Sequence, residues 1–406
     1  VNDPIPIPVV QCPIRQADRP AAGSLAQVQI AFNASAGPSL GIEVELELVD
    51  VRTGHLSSQA SEILAELGAG HPGGEHPRAK HELFESCVEV ITDVCSTVGE
   101  AKVDLAATIA EVREAAGRRG CTLICSGSHP FSHWGEQQIS PSERYDELVD
   151  AMQWMARRLQ IFGIHIHLGV RSGEKAIALG NAMATYIPHL LALSSSSPFW
   201  EGHDTGLAST RSKIFEGLPT AGLPVELADW DEFEQYMTTL VTAGAITSVR
   251  EVWWDIRPHP DFGTIELRMC DGMPSLYEVA AVAALAQSLL VHLDQLHDAG
   301  ELPERPREWI LRENKWRAGR FGLDADLIVD SAGATKPARE AIAELVDTVR
   351  PEAEVLRCSD ELAGIGHMLE VGASAHRQRA VSEGGKNLRA VVDLLARELA
   401  TDEIGS

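Results

Sequence analysis

Gly41-Ile42-Glu43-Val44-Glu45-Leu46-Glu47-Leu48-Val49-Asp50 alternates without a miss. Ile42, Val44, Leu46 and Leu48 fall on one side, and Glu43, Glu45 and Glu47 on the other. A period of two is the signature of a β-strand, so the apolar row lies on a core and the acidic row faces a shared space. Next-nearest carboxylates on that face stand ~7 Å apart by strand rise. They repel one another unless positive charge sits among them. Taken alone, the stretch is a half-solvated antiparallel strand with an acidic outer face. Three more stretches turn it into a site.

The first is His81-Glu82-Leu83-Phe84-Glu85-Ser86-Cys87-Val88-Glu89-Val90-Ile91, read as a second strand. Glu82 and Glu89 are seven apart and would face opposite sides of a regular strand. Sharing one site requires a bulge or bend near Ser86. The second is Ile164-His165-Ile166-His167-Leu168, which puts two imidazoles on one strand face, a frequent arrangement for metal ligands. The third is a hairpin of 253–258 and 264–269 across 259–263. There Ile265, Leu267 and Met269 alternate with Glu266 and Arg268. An exposed Glu–Arg face is the bland reading of that arm.

The candidate face therefore holds Glu43, Glu45, Glu82, Glu89, His165, His167, Glu266 and Arg268. A donor set of carboxylates with one or two imidazoles suits Mg²⁺ or Mn²⁺ better than zinc. Several hard cations in one cage point to a phosphate-rich ligand. No GxxxxGK[ST] occurs, so a nucleotide would be held by the metals and not by a Walker loop. Arg268, Arg257 and the basic cluster of Lys315, Arg317 and Arg320 are candidate clamps for phosphate or carboxylate. Residues 68–73 match GxGxxG, but the run follows a helix and contains Pro72, so a mobile loop is expected.

Composition bounds the rest. With 406 residues, 44% hydrophobic and 23% charged, the chain reads as a soluble globular protein. Acidic residues outnumber basic ones 59 to 34, for a net charge of −25, which argues against nucleic acid or anionic membrane as partners. Seven scattered cysteines without CxxC suit a reducing cytoplasm. Residues 1–14 show no basic region followed by an apolar run, so no signal peptide is expected. Val279–Val291 is read as a buried helix, too short to span a bilayer.

Helices are expected over 57–67, 97–119, 142–159, 174–193 and from Trp230 to about Leu240, with Asp229 as N-cap. From about 276 the chain is nearly all helical. Strands confined to 41–270 with a helical flank predict an α+β domain built on an antiparallel sheet. Residues 1–37 read as a flexible N-terminal extension, and 38–400 as one domain.

These motifs occur together, and in order, in a known family. Gly41–Glu45, Glu82–Glu89, Gly127–Phe131, Gly163–His167, Asp204–Arg211, Trp254–Arg268, Glu313–Arg320 and Gly372–Gln378 resemble the carboxylate–amine ligases of the glutamate–cysteine ligase type 2 group. That group is similar in fold to glutamine synthetase, so the resemblance implies a curved antiparallel sheet forming a funnel with helices outside. It also implies a reaction. ATP phosphorylates a carboxylate, an amine attacks the acyl phosphate, and an amide, ADP and phosphate result.

By the same resemblance, Glu45, Glu82 and Glu89 would hold one Mg²⁺, and Glu43, His165 and Glu266 the ion bridging the nucleotide phosphates. His167 would contact phosphate or substrate. Arg268, Arg257 and Arg211 would bind the acid and the transferred phosphoryl group. Glutamate is the implied acid, cysteine or another amine its partner, and a homodimer the implied assembly. Two other classes fit the residues alone. One is a metal-dependent hydrolase using His165, His167 and the carboxylates to activate water. The other is a nucleotide- or metal-binding protein with little turnover.

Overall fold

A computed structural model describes residues 29–405. The expected extension therefore lies outside the described residues up to 28. Its last part rests on the domain. Ile30 and Phe32 pack beside Trp230. Asn33 N donates to the Pro260 carbonyl and Ser35 N to that of Val170, both at 2.9 Å.

The acidic stretch forms β1 (Leu40–Asp50), and the sheet is arranged around it. Its partners are β2 (Ala79–His81), β3 (Cys87–Ile91), β4 (Cys121–Ile124) and β5 (Ile164–Gly169). A small separate pair, β6 (Phe199–Trp200) and β7 (His203–Asp204), follows, and β8 (Ile256–His259) and β9 (Thr264–Leu267) complete the main sheet. The strand order is β2-β3-β1-β5-β9-β8, with β4 also on β1. Every neighbouring pair is antiparallel. β1 is long enough to serve three neighbours. Leu40–Val44 pair with β5, Glu43–Glu47 with β3, and Glu47–Asp50 with β4.

One face of the sheet is apolar throughout. Ile42, Val44, Leu46, Leu48, Ile164, Ile166, Leu168, Ile265 and Leu267 are all buried in one continuous core. Helices Val98–Arg118 and Leu276–Ala299 contribute their apolar residues to the same core. The first is opened by Thr97, whose side chain accepts from Glu100 N in a capping box. The second is capped by Ser275, which accepts from Glu278 N, and stops at Gly300 in the left-handed region (φ 73°).

Several elements differ from expectation for identifiable reasons. The stretch 81–91 is not one bent strand. It breaks after His81 and resumes at Cys87 as a hairpin, so Glu82 sits in the connecting loop. The helix over 142–159 is interrupted at Gln153, with φ 51°. The helix over 174–193 is split by a 3₁₀ turn at Ala184–Tyr186 ahead of Pro188, whose missing N–H suits a helix start. Leu276–Ala299 is longer than the apolar run within it. That helix and the segment Gly173–Ser194 are long and apolar enough to cross a membrane by composition. Yet 78% and 67% of their apolar windows are buried inside the protein.

Candidate active site

Register decides which carboxylates meet. Across the sheet, Glu45 stands opposite Glu89, Glu43 opposite His165, and His167 opposite Glu266, which in turn faces Arg257. Directly paired residues share a face. The period of two places all seven on the face opposite the apolar one. Glu82 joins them from the loop after β2, and Arg268 follows the end of β9.

The contacts are close. His165 Nδ1 lies 2.8 Å from Glu43 Oε2, and its Nε2 is 3.9 Å from Glu45 Oε1. His167 Nε2 is 3.3 Å from Glu43 Oε1 and 3.9 Å from Glu266 Oε1. Glu266 is almost fully buried and receives Arg257 Nε at 2.9 Å and Nη2 at 2.5 Å, with Arg268 on its other oxygen. The remaining donor of Arg257, Nη1, points at the carbonyls of Val249, Arg250 and Val252. Arg257 is thus enclosed behind Glu266, as a brace for it. Glu45 Oε2 accepts from Gly163 N at 2.5 Å.

Charge is divided unevenly along this rail. Burial would raise the Glu43 carboxyl, but hydrogen bonds from His165 and His167 outweigh it and hold Glu43 well below the ordinary range. Burial likewise opposes ionisation of Glu266, and Arg268 and Arg257 overcome it. At Glu45 the same cost is only partly offset, by Arg211, the Gly163 N–H and Arg268. Burial and the neighbouring Glu82 push Glu45 up to about 8. Burial also raises Glu82, and burial together with Glu43, Glu82 and Glu45 raises Glu89 well above the usual carboxylate range. Burial and the facing Arg268 depress His165 to about 4, so it is a neutral donor atom at pH 7.

This pattern fits divalent cations. Ligand atoms of Glu43, His165 and Glu266 lie within 4.8 Å of one another, and so do those of Glu45, Glu89 and His165. The first group matches the expected set. The second has His165 where Glu82 was expected, and Glu82 stands at the cavity wall close by. Carboxylates that cannot all ionise without a counter-charge, with a neutral imidazole among them, suit Mg²⁺ or Mn²⁺.

Two cavities meet the rail. One, of about 110 Å³, begins at Glu45, Glu82 and His165 and carries Arg144, Arg211 and Arg268. The other, of about 430 Å³, begins at Glu43 and His167 and opens between Thr92 and Phe262. Phe262 is half exposed there and stacks on His259, with ring centroids 4.1 Å apart.

Arg211 is brought to the first cavity by Ser197 and Ser209, which cap its helix, Thr210–Phe215. Its guanidinium lies on Gly163, where a Cβ would come within 2.2 Å of Nη2, and donates to the Arg268 carbonyl. Only a glycine permits that approach.

The basic cluster goes elsewhere. Lys315 is buried between Asp255, at 2.6 Å, and Glu216, at 2.7 Å. Arg317 pairs with Glu313, and Arg320 bonds the Gly206 carbonyl. None of the three lines either cavity. Their expected place at the nucleotide is not what the packing gives them: acidic side chains on other elements hold Lys315, Glu313 on the same helix holds Arg317, and a backbone carbonyl holds Arg320. The motifs Gly127–Phe131 and Gly372–Gln378 are scaffold. His129 is buried and held neutral, its pKa lowered to about 3 by burial. Gln378 donates to the Ser196 carbonyl, within a serine run that is itself buried.

Arg144 and Phe262 are site residues that sequence reasoning missed. Arg144 stands on a helix with no local mark. Phe262 had one, an aromatic ring in an otherwise polar turn.

A relative from Frankia alni, provisionally named glutamate–cysteine ligase 2-1, is 53% identical over 375 residues, 92% of this chain and 98% of its own. A provisionally named glutamate–cysteine ligase 2 from Thermobifida fusca is 50% identical over 369 residues, 91% of this chain and 92% of its own. The crystal structure of a glutamate–cysteine ligase from Francisella tularensis in complex with AMP shares the fold. Its TM-score is 0.65 at 12% identity, over 91% of this chain and 90% of that one. A bifunctional glutathione synthetase from Pasteurella multocida gives a TM-score of 0.60 at 14% identity, over 89% of this chain and 52% of that one. The sequence model of Glutamate-cysteine ligase family 2 (GCS2) matches residues 39–393. The chain belongs to the glutamate–cysteine ligase family 2, a family of carbon–nitrogen ligases.

Proposed function

We propose that this carboxylate–amine ligase is driven by ATP and joins a carboxylate of glutamate, its γ-carboxylate first, to the nitrogen of an amine. Cysteine is the amine that the relatives' names indicate. The observation that carries the reading is the position of the carboxylate–imidazole rail between two cavities. A phosphoryl group must pass between two partners bound on either side of it.

The second cavity suits the nucleotide. Its polar end is at Glu43 and His167, and Phe262 offers an exposed ring face to a base. The first cavity suits the acid and the amine. Arg268 and Arg211 are aimed into it, and their planar forks match carboxylates. Glu43, His165 and Glu266, and Glu45, Glu89 and Glu82, would hold Mg²⁺ or Mn²⁺. When bound, these ions neutralise phosphate oxygens and keep the phosphates in line.

The chain's own residues do the positioning. Arg257 fixes Glu266, Glu266 fixes Arg268, and Arg268 with Arg211 holds the acid so that a carboxylate oxygen can take the γ-phosphoryl group of ATP. The amine nitrogen then forms a bond to the carbonyl carbon, phosphate leaves, and the nitrogen loses a proton. Burial excludes water, which would otherwise hydrolyse the acyl phosphate.

The described cysteines Cys87, Cys95, Cys121, Cys125, Cys270 and Cys358 are buried and free, which supports a reducing, cytoplasmic setting as part of the proposal. A homodimer is kept within it, to be tested by light scattering. The test of function is ADP release from Mg-ATP with glutamate and a panel of amines. Release that needs both partners establishes the ligase. Turnover of an amide with no nucleotide requirement, or no ADP release with any pair, removes this reading in favour of a hydrolase or a silent binding protein.

A further inference from the structure

Arg211 is buried and lines the first cavity. Both of its Nη atoms donate to the Arg268 carbonyl at 3.2 Å, while its Nε has no hydrogen-bond partner among the described residues. A buried donor without a partner opposes stability unless a ligand takes it. The chain nevertheless holds this side chain from two sides, and both lead to Asp271.

Asp271 is fully buried beside Gly127, where a Cβ would come within 2.6 Å of its carboxylate. Its backbone pairs with Gly163, the residue on which the Arg211 guanidinium lies. On either side of that bridge, Ile164 N donates to the Cys270 carbonyl at 3.3 Å and Gly272 N to the Phe162 carbonyl at 3.0 Å. The side chain of Asp271 reaches the other end of Arg211. Oδ2 accepts from Ser196 N at 3.0 Å and Ser197 Oγ at 2.7 Å, and Oδ1 from Ser209 Oγ at 2.8 Å. A serine hydroxyl has one hydrogen to give. With both hydrogens on Asp271, the two oxygens are left to accept, Ser197 from Arg211 N at 3.1 Å and Ser209 from Ser212 N at 3.2 Å. A buried carboxylate opposes stability on its own account. What it supplies here is direction to both hydroxyls. Three stretches marked in the sequence converge on this hub. Gly127 N donates to Ser196 Oγ at 2.7 Å, Gln378 Nε2 to the Ser196 carbonyl at 2.7 Å, and Ser209 and Arg211 belong to Asp204–Arg211.

We propose that Asp271 is a positioning residue for the ligase reaction. Through Ser197 and Ser209 it fixes the backbone that carries Arg211. Through its pairing with Gly163 it fixes the floor on which the guanidinium rests. The guanidinium then meets a carboxylate of the acid substrate in one orientation. Asp271 itself lines neither cavity. The proposal rests on the ligase reading above and adds a residue to the holding of its acid. A carboxylate that only filled the core would change the stability of the fold and not how tightly the acid is held.

The experiment compares Ser197→Ala, Asp271→Ala, Arg211→Lys and the double variant Ser197→Ala/Arg211→Lys with the wild type. ADP release is followed against glutamate concentration, with Mg-ATP and the fastest amine of the panel saturating. Mg²⁺ affinity is measured by calorimetry, and melting temperatures are recorded. A guanidinium displaced from a carboxylate forfeits a hydrogen bond between charged groups, which corresponds to at least about tenfold in binding. The KM for glutamate is expected to rise by that factor in Ser197→Ala and in Asp271→Ala, with Mg²⁺ affinity unchanged. The double variant is expected to match Arg211→Lys alone. Ser197→Ala leaves Asp271 two of its three donors, so it decides the matter where Asp271→Ala does not fold. A wild-type KM for glutamate in Ser197→Ala overturns the proposal, whatever the melting temperature, and so do additive losses in the double variant. A rise in KM with an equal loss of Mg²⁺ affinity also overturns it, because the effect then runs through the whole sheet. Each of these results, beside an active wild type, leaves the ligase reading standing. Absence of ADP release by the wild type with every amine removes the ligase reading, and this proposal with it.

Discussion

Glu45 on β1 and Glu89 on β3 are direct register partners on the cavity face of the sheet. Two carboxylates at such a position destabilise a sheet unless one keeps its proton or a cation lies between them. Both are raised by burial and by their acidic neighbours, Glu45 to about 8. Without a cation, this end of the rail is protonated at neutral pH. Binding of Mg²⁺ or Mn²⁺ must then release protons. Titration calorimetry at pH 7 in two buffers of different ionisation enthalpy should show release of at least about one proton per protein. Identical heats in the two buffers would remove the metal assignment at Glu45 and Glu89.

Glu43→Gln and Glu266→Gln should both cut ADP release by at least about 100-fold. They should differ in stability. Glu43 is a quarter exposed, whereas Glu266 is fully buried and is the shared counter-charge of Arg257 and Arg268. Removing one member of a buried ion cluster costs about 3–5 kcal/mol. Thermal melts should therefore show a larger loss for Glu266→Gln than for Glu43→Gln. Equal melting temperatures would contradict the bracing role of Glu266.

Arg257 and Arg211 separate positioning from substrate contact. Arg257 spends its donors on Glu266 and three carbonyls and lines neither cavity. Arg257→Lys should lower the melting temperature and weaken cation binding, with the KM for glutamate moving little. Arg211→Lys should raise a substrate KM by about tenfold or more at nearly unchanged cation affinity. The opposite assignment of effects would exchange their roles.

Gly163→Ala tests the approach of Arg211 to the strand. The added Cβ would fall 2.2 Å from Arg211 Nη2, so the guanidinium must move. The side chain is buried, and the Arg268 carbonyl that it bonds would lose its partner. We expect kcat/KM to fall by about tenfold or more, a loss also reached by Arg211→Lys and not enlarged in the double variant. Additive losses would show that the two residues act separately.

Glu47 gives a pH signature apart from the cations. Burial raises its carboxyl from 4.5 to about 8, while its Oε1 accepts from Ser126 Oγ at 2.7 Å. A raised carboxyl means that the folded protein holds a proton the unfolded chain has already lost. The stability it contributes is complete below the ordinary carboxylate value and is lost as pH rises through about 8. Glu47→Gln keeps an acceptor for Ser126 and cannot ionise. Its melting temperature should gain on wild type between pH 5 and pH 9. A constant difference over that range would place Glu47 outside this account.

The alternation of 41–50 determined by itself that β1 is a strand and which of its faces is acidic, because a period of two leaves side chains no other choice. The same local rule was enough for the imidazole pair on β5 and for the β8–β9 hairpin. The grouping of Glu43, His165 and Glu266 came from the resemblance to the ligase family and not from that rule. Tertiary structure decided which carboxylates meet. Glu45 reaches Glu89 through strand register. Glu82 comes from a loop that periodicity had joined into a single strand, since a hairpin and a bulge leave similar apolar patterns. It also decided where the cations go. Lys315 reads locally as a free basic residue on a helix, yet Asp255 and Glu216, 60 and 99 residues away in sequence, close over it. Arg144 shows the converse, an unmarked helix arginine that packing turns toward the cavity. Local spacing specifies the face on which a side chain lies, whereas its neighbours come from contacts between distant segments, and those are set by burial of the whole apolar surface at once.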